Sequence, residues 1–228
     1  MLSAAEAAPS ERATFLKNVY IHLFGAVLAC VALTSLFMET PAVRNAIAQL
    51  LTIRFGGLIL MIGFMAVTAL ASSWAHNAPS VGVQYAGLGL SVAAHAVLFT
   101  LLLSFAERIA PGVSQSAALL TLAIFAVLTA VVWYTGINFN FLAPILWASS
   151  IAVLAIIVIS FFMPVTLGLW FVGAMILVAC GYILYDTSRI MREYPTNAYV
   201  GASLELFTAV ATLFWYVVQL LMSFRDGD

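Results

Sequence analysis

Residues 143–163 read APILWASSIAVLAIIVISFFM, a run of 21 residues without a charged side chain. At a rise of about 1.5 Å per residue, a helix of this length crosses the hydrocarbon core of a bilayer, which is about 30 Å thick. Backbone amide and carbonyl groups cannot stay unpaired in hydrocarbon, so an isolated run of this kind has to form a helix. The stretch therefore predicts a membrane-spanning helix and an all-α fold.

The composition of the whole chain points to the same class. Of its 228 residues, 64% are hydrophobic and 7% are charged, whereas a soluble domain is about 45–50% apolar and about 25% charged. This composition excludes a soluble enzyme and a disordered chain. Eight Lys and Arg residues against nine Asp and Glu residues also leave no basic surface for a nucleic acid.

Other apolar runs of similar length precede and follow this one, and the chain has room for about seven spans of roughly 20 residues. We expect an N-terminal segment over residues 1–18, a single seven-span membrane domain over 19–222, and a polar tail over 223–228. The predicted spans are Val19–Met38, Phe55–Trp74, Tyr85–Phe105, Ala117–Tyr134, Ala143–Met163, Leu167–Tyr185 and Ala202–Met222.

We make a specific prediction for each of two connectors between the predicted spans. The middle of the first one, Ala42–Leu51, is predicted to form a short interfacial helix. Spans five and six are separated by little more than Pro164 and Thr166, so a kinked or re-entrant hairpin is an alternative to two full spans at that point.

An odd number of spans places the two chain ends on opposite sides of the membrane. Lys and Arg residues divide equally between the two sides, so the positive-inside rule does not choose an orientation. Arg12 and Lys17, which lie nearest the first span, favour a cytoplasmic N-terminus. We therefore expect the N-terminus and the connector Asp186–Gly201 to lie in the cytoplasm.

Ionisable residues in or beside the spans are the candidates for function, because they are costly there and usually face a cavity or a partner. Asp186 ends the sixth run, and Glu205 lies about one turn inside the seventh. Consecutive antiparallel spans bring both carboxylates to the same membrane face. Two close carboxylates cannot both ionise at low cost, so the pair is a candidate proton sensor or cation site. Alternatively, Asp186 caps a short helix in the connector and Glu205 reaches the lipid headgroups.

Two further residues have candidate roles. Arg189 follows Asp186 by three residues and would be its counter-charge if the helix continues. His95 lies in the middle of the third span among small residues such as Ser91 and Ala96, which permit close helix packing. We interpret His95 as a packing residue that forms a hydrogen bond across helices. A polar intramembrane site in a pore or proton relay is the alternative.

Motifs for catalysis, metal binding and cofactor binding are absent from the sequence. No Walker A, GxGxxG, GxSxG or HExxH pattern occurs. Cys30 and Cys180 lie in apolar runs without CxxC or Cys/His ligand spacing, so we expect two reduced cysteines. We predict a protein that is not an enzyme and that has neither a cofactor nor a resident metal.

The last third of the chain resembles the Bax inhibitor-1 family, and its bacterial YccA-like members in particular. The residues that carry the resemblance are GYILYDTS at 181–188, NAYV at 197–200 and TLF at 212–214. Upstream, FLKNVY at 15–20 is similar to the entry to the family's first helix, and GINFNFL at 136–142 is similar to the loop after its fourth. The resemblance implies a seven-helix bundle in which the other six helices surround the last one.

The resemblance also implies a function. Family members are linked to a pH-sensitive calcium leak that uses two aspartates, one at the end of helix six and one in helix seven. Asp186 matches the first, whereas Ala209 stands at the position of the second. Glu205 lies one helical turn before Ala209, about 6 Å away by the helical rise. Either Glu205 replaces that aspartate, or the leak activity is lost.

Two functions therefore follow from the resemblance. The first is a multi-pass protein of the inner membrane that forms a pH-gated leak for calcium or another cation. The second is a non-transporting regulator in the lipid bilayer that binds another membrane protein, such as the FtsH protease, as a bacterial branch of the family does.

Overall fold

The computed structural model describes residues 3–163 and 168–225 of the chain. The residues that separate the fifth and sixth predicted spans, Pro164 and Thr166, lie outside the described residues. Within the described part, α-helices account for nearly all the regular structure, together with one 3-10 helix at Asn140–Leu142. The α-helices are α1 Pro9–Glu39, α2 Pro41–Thr52, α3 Gly56–Asn77, α4 Val81–Ile109, α5 Val113–Thr135, α6 Ala143–Ser160, α7 Leu169–Arg192 and α8 Tyr199–Arg225.

Seven of the described helices are long and apolar enough to cross a membrane, and α2 is the helix that is not among them. This confirms the prediction of an all-α, multi-pass membrane protein. The short helix predicted at Ala42–Leu51 is present as α2. Its half-buried residues Val43, Ile47 and Leu50 recur at the spacing of one helical face. The position of this helix at the membrane interface remains a prediction.

Several helices extend beyond the apolar runs that predicted them. Helix α1 begins at Pro9. Proline suits the first turn of a helix, because the N–H group that it lacks would have no hydrogen-bond partner within the helix at that position. Helix α7 continues to Arg192, so the prediction that a connector begins at Asp186 is wrong for its first seven residues. Hydropathy shows only where the apolar run of the sequence ends. The helix itself continues, through polar residues as well, for as long as its backbone hydrogen bonds are formed.

The chain divides into two compact units. Unit 1 comprises Met1–Leu102 and Ile190–Phe207, and unit 2 comprises Leu103–Arg189 and Thr208–Asp228. Helices α4, α7 and α8 contribute residues to both. The single membrane domain predicted over residues 19–222 remains a prediction.

In unit 1, small residues bring α3 and α4 close together. Ala71 and Ala75 of α3 are buried, and they face Gly87 of α4. A Cβ atom at Gly87 would lie 2.5 Å from the carbonyl oxygen of Ala71 and 2.8 Å from the amide nitrogen of Ala75. Small residues four positions apart allow helix backbones to approach in membranes. This contact fixes the end of α3, where His76 follows Ala75.

Helix α8 has buried residues on more than one of its faces in each unit. The central position that the resemblance implies for this helix remains a prediction. The buried apolar residues of α8 include Val200, Ala202, Leu204 and Leu206 in unit 1 and Leu213, Val217 and Val218 in unit 2. Unit 2 also has an apolar cluster in which Tyr216 of α8 packs with Val172 and Met175 of α7.

Candidate functional site

Asp186 lies inside α7, almost two turns before the helix ends, and its side chain is buried. It therefore does not cap a separate connector helix. The hydroxyl of the neighbouring Ser188 accepts a hydrogen bond from the amide of Phe139 at 3.1 Å. This contact, within unit 2, fixes the Asp186 segment of α7 against the loop between α5 and α6.

Arg189 lies one helical turn beyond Asp186, since α7 is continuous over both residues. Its guanidinium carbon is 5.2 Å from the centre of the Tyr185 ring, a cation–π distance. Positions three apart on one helix are neighbours on its surface. The proposed role of Arg189 as the counter-charge of Asp186 remains a prediction.

Glu205 of α8 makes a contact with a histidine that the sequence did not indicate. Its Oε1 atom lies 3.2 Å from Nε2 of His76, near the end of α3, and about a quarter of each side chain is exposed. Both residues belong to unit 1. The contact brings an acidic and a basic side chain together between two of the membrane-spanning helices.

The surroundings of His76 hold its imidazole in one orientation. Nδ1 donates a hydrogen bond to the carbonyl oxygen of Ser72 at 2.8 Å, and Nε2 lies 3.3 Å from the hydroxyl of Tyr194. Gly201 of α8 admits the ring, because a Cβ atom there would lie 2.9 Å from Cδ2 of His76. We refer to His76, Glu205 and Tyr194 as the His76 cluster.

The N-terminal segment fixes the connector that carries Tyr194. The amide of Ala4 donates to the carbonyl oxygen of Tyr194 at 2.8 Å, and the amide of Ala5 donates to that of Arg192 at 3.3 Å. Ser3 and Pro195 form an antiparallel bridge beside these bonds. The position of the Tyr194 hydroxyl in the His76 cluster thus depends on residues at the start of the chain.

The three histidines of the chain share one feature and differ in another. In each, Nδ1 donates to the carbonyl oxygen four residues earlier in its own helix, which is Asn18 for His22, Ser72 for His76 and Ser91 for His95. A carbonyl oxygen only accepts, so each Nδ1 carries a hydrogen. The three histidines therefore differ in the groups that contact Nε2 and the faces of the ring, and these groups decide whether each histidine can share a proton.

His22 and His95 have different surroundings from His76. Nε2 of His22 lies 2.6 Å from the hydroxyl of Tyr85. The buried ring of His95 packs against Phe64 and Phe207, with ring centres 5.0 and 5.1 Å away. The hydrogen bond from Nδ1 of His95 stays within its own helix, whereas the sequence led us to expect one across helices. The role of His95 in packing or in transport remains a prediction.

The predicted carboxylate pair falls on residues of different units, Asp186 in unit 2 and Glu205 in unit 1, and stays a prediction. Over residues 3–163 and 168–225, no group of three or more His, Cys, Asp and Glu side chains is arranged to hold a metal ion.

Sequence reasoning missed His76, Tyr194 and Gly201. The signal in the sequence was that His76 lies at the end of a predicted span. Its partner Glu205 lies on α8, far along the chain, so the sequence did not indicate the contact.

Comparisons with known proteins place the chain in a family. Residues 12–226 match the model of the family described as inhibitor of apoptosis-promoting Bax1. A BI1-like protein of Arabidopsis thaliana is 33% identical over an alignment of 141 residues, which covers 58% of this chain and 54% of the relative. The Bax inhibitor 1 of Schizosaccharomyces pombe is 32% identical over 114 residues, 49% of this chain and 43% of the relative.

A bacterial protein is also similar. An uncharacterized membrane protein of Vibrio cholerae is 30% identical over 92 residues, which are 40% of this chain and 41% of the relative. The chain thus matches about half the length of these curated relatives. The family model, in contrast, covers nearly all of the chain, and the protein therefore belongs to the Bax inhibitor-1 family.

Proposed function

We propose that this protein is a pH-sensitive leak for calcium or another cation in the inner membrane of a bacterium, within the YccA-like branch of its family. The observation that carries the proposal is the position of Glu205. It is an ionisable residue in a membrane-spanning helix, and it is held 3.2 Å from a second ionisable residue, His76. Such residues usually mark the path of an ion or a proton.

Asp186 supplies the second carboxylate of the proposal. It is buried in α7, and it matches the aspartate that ends helix six in leak-forming members of the family. Glu205 then takes the part of the helix-seven aspartate, whose position Ala209 occupies. In this proposal, ionisation of the two carboxyl groups creates negative charges that can bind a cation, protonation removes those charges, and Arg189 balances the charge that remains.

Flux measurements on proteoliposomes test this proposal. Purified protein is reconstituted with a calcium-sensitive dye inside the vesicles, and influx is measured between pH 6 and 8. We expect influx above that of protein-free vesicles, with a pH dependence that Asp186→Asn or Glu205→Gln flattens. The double variant should be little worse than either single one, because the two residues act as a unit.

The matched control is Glu39→Gln, which removes an exposed carboxylate at the C-terminal end of α1, away from the His76 cluster. It should leave both the influx and its pH dependence unchanged. Influx equal to that of protein-free vesicles at every pH would contradict the leak. The protein would then be better explained as a regulator that binds another membrane protein, such as a protease.

A further inference from the structure

We propose that His76 and Glu205 form a proton-binding site that ties α3 to α8 through one shared proton, with the Tyr194 hydroxyl as its third member. The proposal adds His76, on a third helix, to the carboxylates considered above. A role of this site in gating depends on the proposed leak function. The binding of the proton itself depends only on contacts within unit 1.

The hydrogen-bond geometry of His76 requires a proton between the two side chains. Nδ1 carries a hydrogen because its shorter contact, at 2.8 Å, is with the carbonyl oxygen of Ser72, which can only accept; the hydroxyl of Ser72 is farther away, at 3.4 Å. Nε2 faces Oε1 of Glu205 at 3.2 Å. If neither atom were protonated, two lone pairs would face each other. An attractive contact therefore needs one proton, either as imidazolium with carboxylate or as neutral imidazole with carboxylic acid.

Packing around the site keeps the two groups in contact. The imidazole lies against Gly201, where even one added carbon would come within 2.9 Å of the ring. Tyr194 is itself buried, and its hydroxyl lies 3.3 Å from Nε2. A hydroxyl both donates and accepts, so Tyr194 can adjust to either position of the shared proton.

Other titratable groups lie on the elements around the site, but their contacts differ from that of Glu205. Glu6 of the N-terminal segment accepts hydrogen bonds from the amide and hydroxyl of Ser3. His22 of α1 and Tyr85 of α4 bond to each other. Arg192 and Glu193 lie at the start of the connector beside Tyr194. Glu205 is the carboxylate whose oxygen lies within ion-pair distance of His76.

The site should respond to pH in both directions. A second proton would place an imidazolium beside a neutral carboxylic acid, and loss of the shared proton would place a lone pair beside a carboxylate. Either change weakens the attraction between the end of α3 and α8. The coupling between the two residues is therefore expected to be largest near neutral pH and to decline on both sides.

A double-mutant cycle on the full-length protein in detergent tests this expectation. The thermal midpoint Tm is measured for the wild type, His76→Gln, Glu205→Gln and the double variant from pH 4 to 10. We expect a coupling of about 2–4 °C in Tm near pH 7 that disappears toward both ends of the range. A coupling that is zero, or that is the same at every pH, would overturn the proposal.

His22→Gln combined with Glu205→Gln is the matched control. His22 has the same Nδ1 bond to its own helix, but its Nε2 faces a tyrosine hydroxyl instead of a carboxylate. This pair should show no pH-dependent coupling. If it shows the same bell-shaped dependence as the His76 pair, the effect is general to the fold and the proposal fails.

A second measurement covers the case in which His76→Gln does not fold. Nitrogen NMR of protein labelled with ¹⁵N-histidine should show that Nδ1 of His76 keeps its hydrogen from pH 5 to 9 while Nε2 titrates. Glu205→Gln should move the midpoint of that titration, and an unchanged midpoint would overturn the shared proton. Neither measurement needs ion flux, so loss of the leak activity alone would contradict the proposed function and leave this site standing.

Discussion

Gly87→Ala should destabilise the protein, because Gly87 is the point of closest approach between α3 and α4. The added Cβ atom would lie 2.5 Å from the carbonyl oxygen of Ala71, 2.8 Å from the amide nitrogen of Ala75 and 3.0 Å from Cβ of Trp74. The first two atoms belong to the backbone of α3, so no side-chain rotation relieves the overlap. The two helices have to move apart.

The expected magnitude follows from two opposing effects. Overpacking of a tight contact costs about 1–3 kcal/mol, and replacement of glycine by alanine inside a helix returns up to about 1 kcal/mol. Because the overlap is with backbone atoms, the cost should lie in the upper part of its range, and the free energy of unfolding should fall by about 1–2 kcal/mol. For a protein of this size that corresponds to a Tm lower by roughly 2–8 °C.

Gly89→Ala provides the control on the same helix. A Cβ atom at Gly89 meets no atom within 4 Å apart from its own stretch of helix, so this variant should gain the helix propensity without overlap. Thermal unfolding of both variants in one detergent gives the comparison. If Gly87→Ala is as stable as Gly89→Ala, the close approach of α3 and α4 does not hold this end of α3, and the reasoning is refuted.

Two further predictions concern the spans themselves. His95→Gln should leave any cation influx and its pH dependence unchanged, because the ring is packed among Phe64, Phe207 and Phe99; a large change in proteoliposome flux would assign His95 to the transport path. Reporter fusions at the two chain ends should lie on opposite sides of the membrane, because seven helices in the described part of the chain are suited to cross it. The N-terminal fusion should lie in the cytoplasm, because Arg12 and Lys17 lie nearest the first span. Two fusions on one side would contradict the odd number of spans.

The sequence by itself determined the fold class and the family. A run such as residues 143–163 can only form an α-helix in hydrocarbon, because every backbone hydrogen bond has to be made within the segment. That requirement is local, so it could be applied without knowledge of any other helix. The motifs at 181–188 and 197–200 indicated the Bax inhibitor-1 family, which the family comparison confirms.

The ends of the helices and the partner of Glu205 depended on the tertiary structure. Hydropathy ended the sixth span at Tyr185, yet α7 continues to Arg192 and keeps Asp186 inside the helix. The contact between His76 and Glu205 joins two helices that are distant in sequence. It forms because small residues at Gly87 and Gly201 let α3 approach its neighbours closely, and such an approach is a property of packed surfaces that no local pattern encodes.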